Sequence, residues 1–79
     1  MKTIIIFGAG GHTKVIIDLI RELNIHNIIG IYDDNKEGYF DGIPIIGKID
    51  ENVNLHYDEY IIGVGNDNIR KKICMTYSN

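Results

Sequence analysis

The chain opens with an apolar segment, a run of glycines and a segment in which apolar residues recur at helical spacing. Residues 3–7 are almost entirely apolar, which is typical of a strand buried on both sides in a parallel sheet. The segment that begins at Gly11 or His12 and ends at Leu23 predicts an amphipathic helix. Asn24 favours a stop directly after it.

The apolar positions of this helix are spaced three or four residues apart: Val15, Ile16, Leu19, Ile20 and Leu23. The charged residues fall on the other side: Lys14, Asp18, Arg21 and Glu22. This division predicts which side of the helix faces the core.

Three further apolar segments predict strands. They are residues 28–32, residues 43–46 and residues 60–64. Pro44 favours an edge position or a strand start for the second of them.

The segments between and after these strands are more polar. Residues 37–42 form a polar stretch with two glycines, and residues 48–53 predict a weak helix or an irregular loop. A last helix is predicted to begin near Asn66 or Asp67. Its apolar residues Ile69, Ile73 and Tyr77 are spaced four apart.

The order of these elements predicts an α/β fold. Strand, helix and strand at the start form a βαβ unit with a right-handed crossover. The 79 residues then make one small domain, residues 1–79, with an open and mostly parallel sheet of the Rossmann-like kind.

Composition and charge narrow the classes of function. The formal net charge of −3 argues against a nucleic-acid-binding protein, which needs a basic surface. No apolar run approaches the roughly 18 residues that a membrane span requires. The single Cys74 is compatible with a reducing cytoplasm, where we expect the chain. The three histidines share no metal-ligand spacing, so we expect no metal site.

The glycine turn predicts a phosphate-binding site. Gly8, Gly10, Gly11 and His12 lie between the first strand and the helix, where bare backbone and the helix N-terminus favour an anion. Thr13 stands where a dinucleotide-binding fingerprint has its third glycine, which disfavours ordinary NAD binding. A tight turn that binds no ligand is the alternative.

Polar residues also follow two other predicted strands. Asp33, Asp34 and Asn35 come directly after the second strand, and Gly65 and Asn66 follow the strand at residues 60–64. Ligands of open α/β sheets bind at the carboxyl ends of the strands. We therefore expect these residues to line one site with the glycine turn, although Asp and Asn are also common in solvated turns.

Together these segments resemble the N-terminal domain of bacterial sugar acetyltransferases, a group that includes sialic acid O-acetyltransferases and UDP-4-amino-sugar N-acetyltransferases of bacillosamine-type pathways. The resemblance lies in residues 4–18, residues 31–34, residues 42–47 and residues 62–73. It implies a Rossmann-like domain that holds a nucleotide-sugar, with UDP-amino sugars favoured. His12 and the glycine turn would lie beside the diphosphate or sugar, and Asp33 and Asp34 would reach the uridine.

In that family a C-terminal left-handed β-helix binds acetyl-CoA, supplies a catalytic histidine and forms trimers. The sequence contains no hexapeptide repeat of such a domain. We therefore expect this chain to bind no cofactor itself, to be inactive alone and to act as the substrate-binding half of an acetyltransferase, from a truncated gene or a split enzyme. The alternatives are a fragment of an NAD-binding oxidoreductase and a non-catalytic nucleotide-binding module.

Overall fold

The computed structural model describes residues 1–49 and 56–63. Their elements, in chain order, are β1 Lys2–Phe7, α1 Gly11–Leu23, β2 His26–Tyr32, β3 Gly38–Phe40, β4 Ile43–Gly47 and β5 Glu59–Ile62. The strands form one sheet in the order β3-β4-β2-β1-β5. All neighbours are parallel except β3, which is antiparallel to β4. The predicted small Rossmann-like α/β fold, with its βαβ start, is confirmed.

The strand order brings three strand ends to one edge of the sheet. The chain moves outward from β1 to β2 to β4 and then returns to place β5 on the other side of β1. Phe7 is aligned with Tyr32 on β2 and with Ile62 on β5, so these strands end level with one another. The turns that follow them therefore open at the same edge, where sheets of this kind bind ligands.

The helix α1 covers one face of the sheet. An apolar cluster lies between the helix and the sheet, and its buried residues are Ile4, Ile6, Ala9, Ile16, Ile17, Ile20, Ile31 and Ile43. Isoleucine suits this position because its branched side chain packs well on a pleated surface. The cluster ties β1, β2 and β4 to the helix and fixes where α1 begins.

The opposite face of the sheet has its own apolar cluster. Its buried members are Ile5, Phe7, Tyr32 and Ile49. The ring of Phe7 lies 5.8 Å from that of Tyr32 and 5.7 Å from that of Tyr60. Ile49 and Tyr57, from the connection between β4 and β5, pack against this face. Within the described part of the chain, α1 covers one face of the sheet, and Ile49 and Tyr57 cover part of the other.

The prediction of which side of α1 faces the core is partly wrong. Ile16 and Ile20 are buried as expected, but Val15, Leu19 and Leu23 are 54%, 54% and 66% exposed. The buried side of the helix is Thr13, Ile16, Ile17 and Ile20. The apolar residues extend over a wide part of the helix circumference. The part that faces the sheet is the side on which the buried Thr13 lies.

One short strand was not predicted from the sequence. Residues 37–42 were expected to be a polar connection, but Gly38–Phe40 forms β3 and pairs with β4 across a two-residue turn. The turn residues Asp41 and Gly42 have φ of 52° and 82°, as a type I′ hairpin requires. Arg21 of α1 holds this turn, because its Nη1 lies 2.9 Å from Oδ2 of Asp41.

The remaining differences concern element boundaries. β2 begins at His26, two residues before the predicted start, because its pairing with β1 already begins at Lys2 and His26. Nε2 of His26 also lies 3.0 Å from Oε1 of Glu59, a contact between β2 and β5 across β1. β5 likewise begins at Glu59. Residues 50–53 of the predicted weak helix, the end of the predicted strand at Val64 and the helix predicted after it lie outside the described residues.

Of the helices that the structure describes, none has the length and apolar character needed to cross a membrane.

Replacing Ile17 by alanine should lower the free energy of unfolding by about 2–5 kcal/mol, because a completely buried side chain is removed. Leu19→Ala is the matched control on the same helix. Since Leu19 is 54% exposed, we expect it to cost less than about 1 kcal/mol. Urea unfolding of the two variants measures the difference, and equal losses would mean that the Leu19 side belongs to the core.

Candidate functional site

The glycine turn between β1 and α1 leaves the start of the helix open. Gly8 has φ of 108° and donates its N–H to the carbonyl of Tyr32 at 2.7 Å. Gly10 precedes the helix in an extended conformation, and no side chain caps the helix N-terminus. Gly11 and His12, the first two helical residues, are exposed. Backbone N–H groups and the positive end of the helix dipole are thus presented at this edge.

Thr13 is a buried part of this turn and not an interruption of it. Its side chain is fully buried, and its Oγ1 donates to the carbonyl of Gly8 at 2.7 Å. A Cβ added to Gly63, directly after β5, would lie only 2.6 Å from that Oγ1. The close approach that the third glycine of a dinucleotide fingerprint provides is therefore provided here by a glycine that directly follows the neighbouring strand.

The carboxylate of Asp33 joins the turn after β1 to the turn after β2. Its Oδ2 accepts the N–H of Ala9 at 2.8 Å, and its Oδ1 accepts the N–H groups of Asn35 at 2.8 Å and Lys36 at 2.9 Å. The backbone N–H of Asp33 itself donates to the carbonyl of Gly47 at 2.9 Å. Both carboxylate oxygens are therefore occupied by the protein's own backbone.

These contacts keep Asp33 ionised. Partial burial raises the pKa of Asp33, but hydrogen bonds from the N–H groups of Asn35, Ala9 and Lys36 and the positive charge of Lys36 outweigh it. The net result is a pKa below the ordinary value of an aspartate. Hydrogen bonds to the charged form have this effect because they are lost on protonation.

Lys36 makes a second contact between the turn after β2 and the turn after β1. Its Nζ donates to the carbonyl of Ala9 at 2.6 Å and lies 5.5 Å from the centre of the Phe40 ring. Ala9 therefore donates its N–H to Asp33 and accepts a bond from Lys36 through its carbonyl. The lysine links the glycine turn to the segment that follows β2.

A cleft of about 450 Å³ opens beside this connection. Its lining comes from the segment after β2 and from the end of β4: Asp33, Asp34, Asn35, Lys36, Glu37, Ile45, Ile46, Gly47 and Lys48. Oδ1 of Asp34 accepts the N–H of Ile49 at 2.9 Å, which holds the two walls together. Among the described residues, none donates a hydrogen bond to the other carboxylate oxygen of Asp34.

The predicted site residues that the structure describes form two groups, one in the glycine turn and one in the wall of the cleft. Gly8, Gly10, Gly11 and His12 form the turn, and Asp33, Asp34 and Asn35 form one wall of the cleft. Asp33 and Lys36 bring the two groups together. Gly65 and Asn66 lie outside the described residues.

Two residues of this region were missed or misjudged in the sequence. Lys36 was not among the predicted site residues, and no pattern in the sequence shows that its ammonium group would reach the glycine turn from 27 positions away. Thr13 was interpreted against the fingerprint alone. Its position five residues after Gly8, whose carbonyl it bonds, is the signal that could have identified it.

In the described ranges, no three His, Cys, Asp or Glu residues are grouped as metal ligands would be.

Comparison with known proteins identifies the kind of domain. The sequence profile of the PglD N-terminal domain matches residues 3–77. The uncharacterized protein L142 of Acanthamoeba polyphaga mimivirus is 40% identical over 72 residues, which cover 90% of this chain. The same match covers 14% of the viral protein, so this chain spans a small part of that relative's length.

Asp33→Asn should lower the free energy of unfolding at pH 7 by about 1–2 kcal/mol, because the amide group turns donors toward backbone N–H groups and removes charge-assisted bonds at a partly exposed position. Because the pKa of Asp33 is lowered in the folded state, its contribution is complete above the unfolded pKa of about 3.9 and is lost as the pH falls through the folded value.

Urea unfolding of Asp33→Asn and of the parent chain between pH 7 and pH 3 measures this difference, which should shrink at the acid end. Asp18→Asn serves as the control, because Asp18 has 59% of its side chain exposed and, among residues 1–49 and 56–63, its carboxylate contacts Lys14 alone, at 3.5 Å. A difference for Asp33→Asn that is constant over this range would contradict the assignment.

Gly63→Ala should destabilise the fold by about 1–3 kcal/mol, because its new methyl group collides with Thr13. Gly11→Ala is the matched control, since its added Cβ meets no atom within 4 Å. Combining Gly63→Ala with Thr13→Ala removes the collision, so the two substitutions should cost less together than the sum of their separate costs. Strict additivity in thermal or urea unfolding would show that the two residues are not in contact.

Proposed function

The chain belongs to the family of PglD N-terminal domains, and from that premise we propose that it holds the nucleotide-sugar substrate of a sugar acetyltransferase. PglD-type proteins are bacillosamine acetyltransferases, so the family indicates the N-terminal part of such an enzyme. The proposal names the ligand class, a UDP-amino sugar, and assigns it to the cleft beside the glycine turn. The observation that carries it is this cleft between the polar segment after β2 and the end of β4, which Asp33 and Lys36 connect to the glycine turn.

The dimensions of the cleft support a small-molecule ligand. Its volume of about 450 Å³ falls within the roughly 300–1,000 Å³ typical of ligand sites. It contains carboxylates, an amide and two lysines beside the apolar surface of Ile45 and Ile46. The groups of a nucleotide complement this lining: its flat base suits the apolar surface, its hydroxyl groups can donate to the carboxylates, and its phosphate attracts the lysines.

Asp34 is the residue that we assign to the nucleoside. Asp33 has both carboxylate oxygens engaged by backbone N–H groups, whereas Asp34 uses one oxygen for the N–H of Ile49. An ionised carboxylate accepts hydrogen bonds and donates none. The N–H of a uracil ring and the hydroxyl groups of ribose are donors, so they suit the remaining oxygen of Asp34.

The glycine turn is assigned to the diphosphate and the start of the sugar. Its exposed backbone N–H groups at Gly11 and His12 and the positive end of α1 favour negative charge. The imidazole of His12 can donate a hydrogen bond to a phosphate or sugar oxygen. We assign it to ligand binding and not to catalysis.

Acetyl transfer is assigned to a separate domain. In the proposed reaction an amine or hydroxyl group of the sugar attacks the thioester carbonyl of acetyl-CoA, the C–S bond breaks as the new C–N or C–O bond forms, and CoA leaves as its thiol. A histidine acting as a general base takes the proton from the attacking group and passes it to the departing sulfur. We place that histidine and the acetyl-CoA site in a left-handed β-helix domain. The role of this chain is then to hold and orient the sugar nucleotide.

UDP or a UDP-amino sugar should stabilise the chain against heating. A ligand that binds only the folded state adds about 2.7 kcal/mol at a hundred times its dissociation constant, which raises the Tm of a small domain by about 11–22 °C. Thermal unfolding with UDP, a UDP-amino sugar, CMP-sialic acid and NAD measures the selectivity. A shift with NAD alone would replace the proposal by the oxidoreductase alternative, and no shift with any ligand would contradict it.

Asp34→Asn separates ligand recognition from folding in the same experiment. The amide oxygen can still accept the N–H of Ile49, while the amide nitrogen replaces the oxygen that we assign to the nucleoside. We expect an unchanged Tm without ligand and a smaller shift with UDP. A full UDP shift in this variant would remove Asp34 from the site.

A further inference from the structure

We infer that Lys36 supplies the positive charge that recognises the phosphate groups of the ligand. The inference rests on the proposed function and adds a residue and a chemical role to it. Lys36 contacts the glycine turn and also lines the cleft. A ligand that extends from the cleft to the glycine turn therefore lies beside the ammonium group of Lys36.

The charge balance of the cleft requires such a residue. Three carboxylates, those of Asp33, Asp34 and Glu37, line the cleft together with two lysines, Lys36 and Lys48. Asp33 remains ionised because its pKa is lowered. A diphosphate bound at the glycine turn lies beside the ionised Asp33, whose Oδ2 accepts the N–H of Ala9 at 2.8 Å, and a nearby cation offsets the repulsion between these negative charges.

The geometry selects Lys36 over Lys48 for this task. The Nζ of Lys36 is held 2.6 Å from the carbonyl of Ala9, at the glycine turn itself. The Phe40 ring, 5.5 Å from the same Nζ, stabilises the position of the ammonium group. An ammonium group has three donors, and the carbonyl of Ala9 takes one of them.

The position of Lys36 also reduces the cost of binding. A flexible lysine loses side-chain entropy when it is immobilised by a ligand. Two contacts already restrict Lys36, and its backbone N–H is fixed by Asp33. The charge is therefore held beside the turn before the ligand arrives.

The test compares a phosphate-bearing ligand with one that lacks phosphate. The dissociation constants of UDP and of uridine are measured by NMR titration of the 79-residue chain and of Lys36→Met. We expect Lys36→Met to weaken UDP binding by about tenfold or more, as the loss of a charge-assisted hydrogen bond predicts. Uridine binding should remain unchanged, and Lys36→Arg should restore most of the affinity for UDP.

Lys2→Met is the matched control. It removes the same charge at the opposite end of β1, where Lys2 lies 3.7 Å from Glu59. We expect it to leave the ratio of UDP to uridine affinity unchanged. Added salt should weaken UDP binding to the parent chain more than to Lys36→Met, because screening acts on the charge that the variant lacks.

The outcomes are distinguishable. An equal loss of affinity for UDP and uridine in Lys36→Met would show that Lys36 only holds the turn, and this would overturn the inference. Loss of UDP binding in Lys48→Met and not in Lys36→Met would overturn it in favour of the other lysine. If UDP binds the parent chain and Lys36→Met alike, the inference fails and the proposed function stands. If the parent chain binds neither nucleotide nor nucleoside, both fail.

Discussion

The region around the glycine turn depends on one carboxylate, that of Asp33. It bonds the N–H of Ala9 in the turn after β1 and two N–H groups in the turn after β2. The side chain of Lys36 adds a second link between the same two turns, because its Nζ donates to the carbonyl of Ala9. Because β1 and β2 are parallel neighbours that end level with one another, a single short side chain can bridge their two turns. The relative position of the glycine turn and the cleft is set by this bridge.

The two consecutive aspartates consequently have different roles. Both oxygens of Asp33 accept backbone N–H groups, three in all, and such bonds stabilise the ionised form. Asp34, one residue later, bonds the N–H of Ile49 with one oxygen. Both residues line the cleft, but the carboxylate of Asp33 organises the backbone of two turns, whereas that of Asp34 makes one backbone contact.

Much of the fold follows from local patterns, whereas the internal arrangement of the site does not. The apolar run of β1, the glycine turn and the period of α1 predict a βαβ start because each pattern is repeated over several residues. The orientation of α1 was harder to predict, since its apolar arc is wide and the buried Thr13 decides which edge of it faces the sheet. The hairpin of β3 and β4 was missed although Asp41 and Gly42 form a strong local turn signal.

The contacts that organise the candidate site join residues far apart in sequence, and this is why they could not be predicted. Lys36 reaches the carbonyl of Ala9 only because β1 and β2 lie side by side. The pairing of Thr13 with Gly63 likewise depends on β5 being adjacent to β1.

That pairing also changes how the glycine fingerprint is interpreted. A third glycine is needed where helix and strand must approach closely, but this is a requirement on a contact and not on one position of the chain. Here the small residue is Gly63, directly after the neighbouring strand β5, and the helix carries a threonine whose hydroxyl donates to the carbonyl of Gly8. Thr13 is therefore compatible with a phosphate at the turn and cannot by itself separate a sugar nucleotide from a dinucleotide. In the proposed function this discrimination is assigned to the groups that line the cleft, above all Asp34, because the diphosphate is common to both classes of ligand.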